Sequence, residues 1–255
     1  MKKNILLVFI AVASFSVSCA YGVVFSEKIS IAYALPPQLV FSAPRALEIG
    51  NHYFSSRAYN LSLAEWYLKR ALELDSDTPD AWHQLARIDF LRGDFNRALE
   101  KINTQIDLHG DSLMSSYYIR GLIFGYMGRF AEAEIDFRRF IAWNPDGWAG
   151  WNDLSWVYFA QGKYSEAADA AEWGLEKHPG NPWLLNSRGV ALLNLGEKIE
   201  AEQLLTQALG IVSVITPETW AQAYPGNDPG IAERGLRAFR ETVNNNLSLA
   251  GGGSQ

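Results

Sequence analysis

The chain has 255 residues, of which 48% are apolar and 20% are charged, a composition typical of one folded domain or one continuous array and not of a disordered segment. Lys2 and Lys3 are the only charged residues before Glu27, so 20 basic residues (22 less these two lysines) and 28 acidic ones give positions 27 onward a net charge of −8, which argues against nucleic acid as a partner. Because Cys19 is the only cysteine, the sequence excludes an intrachain disulfide, a four-cysteine zinc site and a C-x-x-C redox pair.

Residues 1–25 have the pattern of a membrane-targeting segment, because two lysines precede a stretch without charge from position 4 to position 25. Three interpretations are open. A cleaved signal peptide needs small residues at the cut, and Ser16, Ser18 and Ala20 meet that need. A retained anchor needs about 20 apolar residues, and the stretch is just long enough.

The third interpretation is lipidation at Cys19, which follows small residues and resembles the lipid-bearing cysteine of bacterial lipoproteins, although Ser16 stands where that family usually has leucine. All three interpretations predict that residues 27 onward lie outside the cytoplasm, because the basic end of such a segment stays inside. We therefore expect a membrane-anchored or exported protein of a bacterial envelope.

Residues 26–44, which contain three prolines, predict an extended linker between the membrane and the rest of the chain.

A sequence pattern of glycine and alanine with fixed spacing recurs through the middle of the chain. Gly93, Gly128, Gly162 and Gly196 are 35, 34 and 34 residues apart, and an alanine follows each glycine at an offset of five. A period in this range is typical of a stacked solenoid. Glycine can end a helix because it adopts the left-handed backbone conformation with little strain. The small alanine lets two helices approach closely. Each unit is therefore predicted to be a helix, a turn and a second helix.

These units resemble the tetratricopeptide repeat. Residues 148–181 match its pattern best, and Trp151, Leu154, Tyr158, Gly162, Ala167 and Pro179 stand in register. Further units follow at 79–113, 114–147 and 182–215, and a degenerate unit precedes them, so five repeats are assigned to residues 45–215. The resemblance implies an all-α fold, a right-handed solenoid of helix-turn-helix repeats. Residues 216–247 are expected to form C-terminal capping helices, and residues 248–255 a flexible tail.

Catalytic and metal-binding patterns are absent from the sequence. The four histidines fall in different units, and no H-E-x-x-H pair, G-x-S-x-G elbow or phosphate-binding loop is present. We therefore expect no enzymatic activity, no cofactor and no metal site.

In the family that the chain resembles, the first helices line a concave groove. Carried over position by position, the groove residues are His83, Arg87, Phe90, Leu91, Tyr118, Leu122, Tyr126, Asn152, Trp156, Phe159, Trp183, Asn186, Val190 and Asn194. Aromatic rings supply contact area at low entropic cost, and the amides of Asn152 and Asn186 offer both a donor and an acceptor to a peptide backbone.

This composition favours a scaffold that binds a protein or an extended peptide, with the membrane contacted only through the N-terminal segment. Asparagine at the fifth position of two units, in place of a basic clamp, argues against recognition of a C-terminal carboxylate. Two other interpretations are open, namely a small-molecule or lipid-binding accessory protein and a self-assembling structural module. A further interpretation of the aromatic set is that its members pack against adjacent helices, or that the C-terminal helix fills the groove.

Overall fold

The computed structural model describes residues 36–55, 58–223 and 228–251. This part of the chain forms α-helices joined by short turns and contains no strand. The helices are α1 Ala43–Tyr53, α2 Leu61–Leu74, α3 Ala81–Leu91, α4 Phe95–His109, α5 Ser115–Tyr126, α6 Phe130–Trp143, α7 Trp148–Ala160, α8 Tyr164–Lys177, α9 Pro182–Leu195, α10 Lys198–Val214, α11 Pro217–Gln222 and α12 Ala232–Gly251. Short 3-10 turns lie at Pro37–Leu39, Gly110–Leu113 and Pro229–Ile231.

The helices α1 to α10 pair in chain order, and each pair packs on the next. The predicted all-α, right-handed solenoid of helix-turn-helix repeats with C-terminal capping helices is thereby confirmed. Consecutive first helices, α3 with α5, α5 with α7 and α7 with α9, are in closer contact than consecutive second helices. The first helices therefore line the inner, concave side of the array, as the curvature of a solenoid requires.

In the four helix pairs from α3 to α10, the turn within the pair follows from its glycine. Gly162 has φ +75°, a left-handed conformation that other residues adopt only with strain. Its N–H donates to the carbonyl of Phe159 at 2.9 Å, and the N–H of Lys163 donates to the carbonyl of Tyr158 at 3.0 Å. These bonds satisfy carbonyls at the end of α7 and reverse the chain into α8.

The alanine of each unit is fully buried, as the pattern predicts. Ala167 has no exposed surface, and its carbonyl accepts a hydrogen bond from the hydroxyl of Ser155 at 2.7 Å across the helix pair. A larger side chain at this position would force the two helices apart. One apolar core runs continuously from α3 to α10, and smaller clusters lie at the two ends.

Helix α12 packs against α9 and α10. The guanidinium of Arg240 donates to the carbonyls of Val212 and Ile215, at 3.0 and 2.6 Å, where α10 ends. This cationic side chain satisfies carbonyls that have no partner within their own helix. Helix α12 extends to Gly251, and Ala250 is buried against Val190 and Leu205, so the ordered chain continues past position 248, where the tail is expected to begin.

The N-terminal end of the array also differs from the sequence-based expectation. Within the expected linker, Val40 is buried and its carbonyl accepts a hydrogen bond from Nε of Arg70 on α2 at 3.1 Å, and α1 begins at Ala43. The last part of the linker is therefore packed, because Val40 contributes to the core of the first repeat. The expected targeting segment and Cys19 lie outside the described residues, and no helix of the described part is long and apolar enough to span a bilayer.

Candidate binding groove

The predicted groove residues lie on the first helices α3, α5, α7 and α9, but they divide into two rows with different surroundings. One row, at the fifth position of each of the last four units, consists of His83, Tyr118, Asn152 and Asn186. All four side chains are buried, with exposed fractions between 0% and 7%.

Each fifth-position side chain bonds to the first helix of the following unit or to the cap. Nδ1 of His83 lies 3.0 Å from the hydroxyl of Ser116, and the hydroxyl of Tyr118 donates to a carboxylate oxygen of Asp153 at 2.5 Å. These bonds join α3 to α5 and α5 to α7, so the row forms a buried polar ladder between repeats.

The two asparagines continue this ladder. The hydroxyl of Ser187 on α9 donates to Oδ1 of Asn152 at 2.9 Å, and Nδ2 of Asn246 on α12 donates to Oδ1 of Asn186 at 2.9 Å. This differs from the expectation that both amides bond to a ligand backbone. Neighbouring first helices are so close that their polar side chains must pair with one another when buried.

Trp183 belongs to the same buried region. Its ring stacks between Trp148, at a centroid distance of 5.0 Å, and Phe239 of α12, at 5.4 Å, and only 8% of the residue is exposed. Helix α12 therefore covers this end of the groove, as the capping interpretation expects. Nearer the turn, Asn194 donates to the carbonyl of Val190 in its own helix at 2.9 Å.

The second row lies nearer the turns and remains open to solvent in part. Tyr126 is 43% exposed, and its ring contacts Phe90 of the preceding unit at 5.2 Å and Trp156 of the following unit at 5.5 Å between centroids. Phe159, in the fourth pair, is half-buried and contacts Tyr164. We refer to Phe90, Tyr126, Trp156 and Phe159 as the aromatic row.

The contact between Trp156 and α5 depends on Gly125, which is not among the predicted groove residues. A Cβ atom at Gly125 would lie 2.6 Å from Cζ3 of Trp156, closer than any side chain permits. The indole therefore packs directly on the backbone of α5. The six-membered part of its ring occupies the space that a side chain would take.

Arg87 is the one basic residue of the predicted groove. It is half-buried, and its guanidinium carbon lies 4.6 Å from the centroid of the Phe54 ring, while Nη1 donates to Oε1 of Gln84 at 2.9 Å. Burial lowers the pKa of Arg87 to about 10, and the nearby Asp80 carboxylate opposes that shift. The guanidinium therefore stays charged at neutral pH.

Sequence reasoning missed the polar partners on the following helices, Ser116, Asp153 and Ser187. The sequence contains a signal for them, since each belongs to a pair of adjacent polar residues near the start of a mainly apolar first helix, at 115–116, 152–153 and 186–187. Among the residues that the structure describes, no three His, Cys, Asp or Glu side chains form a metal-binding group.

Comparisons with known proteins agree with this geometry. A sequence profile of the tetratricopeptide repeat matches residues 119–182 and 152–214. A search of curated proteins gives no match.

Similar solved structures include MamA, with a TM-score of 0.57 at 23% identity over 67% of this chain and 92% of that one. YrrB, described as a tetratricopeptide-repeat protein with an unusual peptide-binding site, has a TM-score of 0.56 at 18% identity over 66% of this chain and 86% of that one. PilW, described as a type IV pilus biogenesis factor, has a TM-score of 0.61 at 17% identity over 84% of this chain and 94% of that one. At these identities the likeness concerns the fold.

Proposed function

The chain is a tetratricopeptide-repeat protein, and from this premise we propose that it is a non-catalytic scaffold that binds a protein or an extended peptide in its concave groove. Repeat arrays of this kind use their curved inner surface for binding. The peptide-binding site in the description of YrrB is in keeping with this proposal.

One observation carries the proposal, namely the partial exposure of the aromatic row. The rings of Phe90, Tyr126 and Trp156 contact one another across three repeats, and Tyr126 keeps 43% of its surface exposed at the centre. Aromatic side chains at the centre of an interface contribute much of its binding energy, because they bury large areas and lose little entropy.

The buried polar ladder narrows the proposed ligand surface. His83, Tyr118, Asn152 and Asn186 are bonded within the fold, and Trp183 lies under α12. The surface proposed for ligand contact therefore consists of the aromatic row together with Arg87 and Asn194. A partner that lies along it would contact α3, α5 and α7 first.

We further propose that the groove lies in the bacterial envelope. The support is the N-terminal sequence, in which two lysines precede an uncharged segment. PilW, whose description names pilus biogenesis, has the same fold over 84% of this chain.

The proposal is tested by photo-crosslinking in the native cell, with a benzophenone amino acid placed at Tyr126 or, as a control, at Ile135. Ile135 is 66% exposed on the second helix α6, away from the first helices. We expect a discrete protein adduct from position 126 only. Identical adducts from both positions, or none from position 126, would contradict the proposal.

The crosslinked segment then supplies a peptide for direct binding measurements. Tyr126→Ala is expected to weaken its binding about tenfold, in the range of a central interface residue. Trp66→Ala is the matched control, because Trp66 is 45% exposed on the second helix α2. Equal effects of the two substitutions would show that the groove is not the binding surface.

A further inference from the structure

A second concave feature lies on the opposite side of the array from the groove. It is a cleft of about 320 Å³ between the second helices α6 and α8, with α7 forming its floor. Its lining includes Arg138, Trp151, Tyr158, Glu166, Asp169 and Trp173. The proposed groove function uses none of these residues.

The aromatic wall of the cleft is a fixed platform with one open face. Trp173 is 57% exposed, and its ring stacks on that of Trp151 at a centroid distance of 6.0 Å and an interplanar angle of 18°. Nε1 of Trp151 donates to the carbonyl of Pro145 at 2.8 Å, which fixes the lower indole. The indole of Trp173 therefore presents its π-face without a large change in conformation.

Acidic side chains stand beside this platform. Glu166, Asp169 and Trp173 are separated by three and four residues along α8, so they lie on one face of the helix. Both carboxylates are exposed, and within the described part of the chain neither takes part in an ion pair.

The one cation in the lining already has a carboxylate partner. Nε of Arg138 lies 3.0 Å from Oε1 of Glu134, and its guanidinium also donates to the hydroxyl of Tyr158. Lys163, near the same carboxylate, lies 3.4 Å from Oε2 of Glu134. Because Arg138 and Lys163 share the single carboxylate of Glu134, these two cations and the three carboxylates of Glu134, Glu166 and Asp169 leave a net charge of −1 beside the exposed indole.

We propose that this cleft, on the convex side of the array, binds a basic segment of a protein partner. A lysine or arginine side chain of that segment would lie on the indole of Trp173, with its charge facing Glu166 and Asp169. An indole face and a carboxylate both attract a cation, and the two attractions act together here. An acidic segment would be repelled, and a neutral apolar segment would leave both carboxylates without a counter-charge. The site is separate from the groove, so the scaffold would hold two different segments.

The experiment uses the full chain in non-ionic detergent and a fluorescein-labelled peptide of alternating lysine and glycine, with fluorescence polarisation as the readout. Trp173→Ala and the pair Glu166→Gln with Asp169→Asn are each expected to weaken binding about fivefold or more. The same peptide with acetylated lysines is expected not to bind, because acetylation removes the charge.

Matched controls separate this site from general attraction to an acidic protein. Trp143→Ala removes an indole that is 54% exposed at the end of α6, and Glu241→Gln removes an exposed carboxylate of α12. Both are expected to leave the affinity unchanged, as is Tyr126→Ala in the groove. Equal weakening by a control variant, undiminished binding to Trp173→Ala, binding of the acetylated peptide or no binding by the wild type would each overturn the proposal.

Discussion

Among single residues, buried polar side chains on the first helices join one repeat to the next. His83 is an example, because its position in the repeat does not indicate which residues it bonds to. It is 2% exposed, its ring bonds to Ser116, and its backbone N–H donates to Oε1 of Gln105 at 3.1 Å. Burial lowers the pKa of His83 to about 4, which keeps the ring neutral in the folded protein.

This lowered pKa predicts a loss of stability in mild acid. The folded pKa of His83 lies below the ordinary 6.5, so the unfolded chain binds the proton first, and stability falls as the pH drops from about 6.5 towards 4. Between pH 7 and pH 5, the free energy of unfolding should decrease by about 2 kcal/mol more in the wild type than in His83→Gln. Urea denaturation at both pH values measures this difference, and parallel losses in the two proteins would refute it.

Among the helices, α12 ends the array by packing against α9, and it makes the same kinds of contact that a following repeat would make. Phe239 stacks on Trp183 with an interplanar angle of 5°, and Asn246 bonds to Asn186. Asn186 thus makes to α12 the kind of bond that Asn152 makes to α9. Helix α12 is therefore part of the folded core, and it covers the last part of the groove as the first helix of a following repeat would.

A double-mutant cycle on Asn186 and Asn246 tests this role of α12. Each single change to alanine leaves the other buried amide without its partner and should cost about 1–3 kcal/mol. The double variant should cost little more than either single variant, because both partners are then absent. Asn244→Ala on the exposed face of α12 is the control, and additive costs in urea denaturation would argue against a coupled pair.

At the scale of the whole molecule, stability is expected to be greatest in the middle of the array. The largest core cluster runs without a break from α3 to α10, whereas the clusters around α1 and α12 are smaller and have a neighbour on one side. In a solenoid each repeat is stabilised by the interfaces with its neighbours, so the ends open most readily.

Native-state hydrogen exchange measures this gradient directly. Amide protection should be highest in α5 to α9 and should decline towards α1, α2 and α12. Protection of the same magnitude in every helix would instead indicate a single cooperative unit, and the nearest-neighbour description of the array would then be wrong.

The period of the sequence determined the fold, because its causes are local. Gly162 ends a helix through its own φ angle, and Ala167 admits the second helix through its small size, so a spacing of 34 residues is sufficient to indicate helix pairs. The same spacing placed His83, Tyr118, Asn152 and Asn186 on the first helices. It did not distinguish positions that face the groove from positions that face the next first helix.

That distinction was decided by the tertiary structure, because it depends on how closely the helices approach. Asn186 pairs with Asn246, which lies 60 residues further along the chain, and no local spacing encodes such a bond. The position of Trp156 likewise depends on its contact with Gly125 in the preceding repeat. The repeat, its register and its turns follow from local residue patterns, whereas the packing of neighbouring repeats controls which of the polar and aromatic side chains remain exposed for a partner.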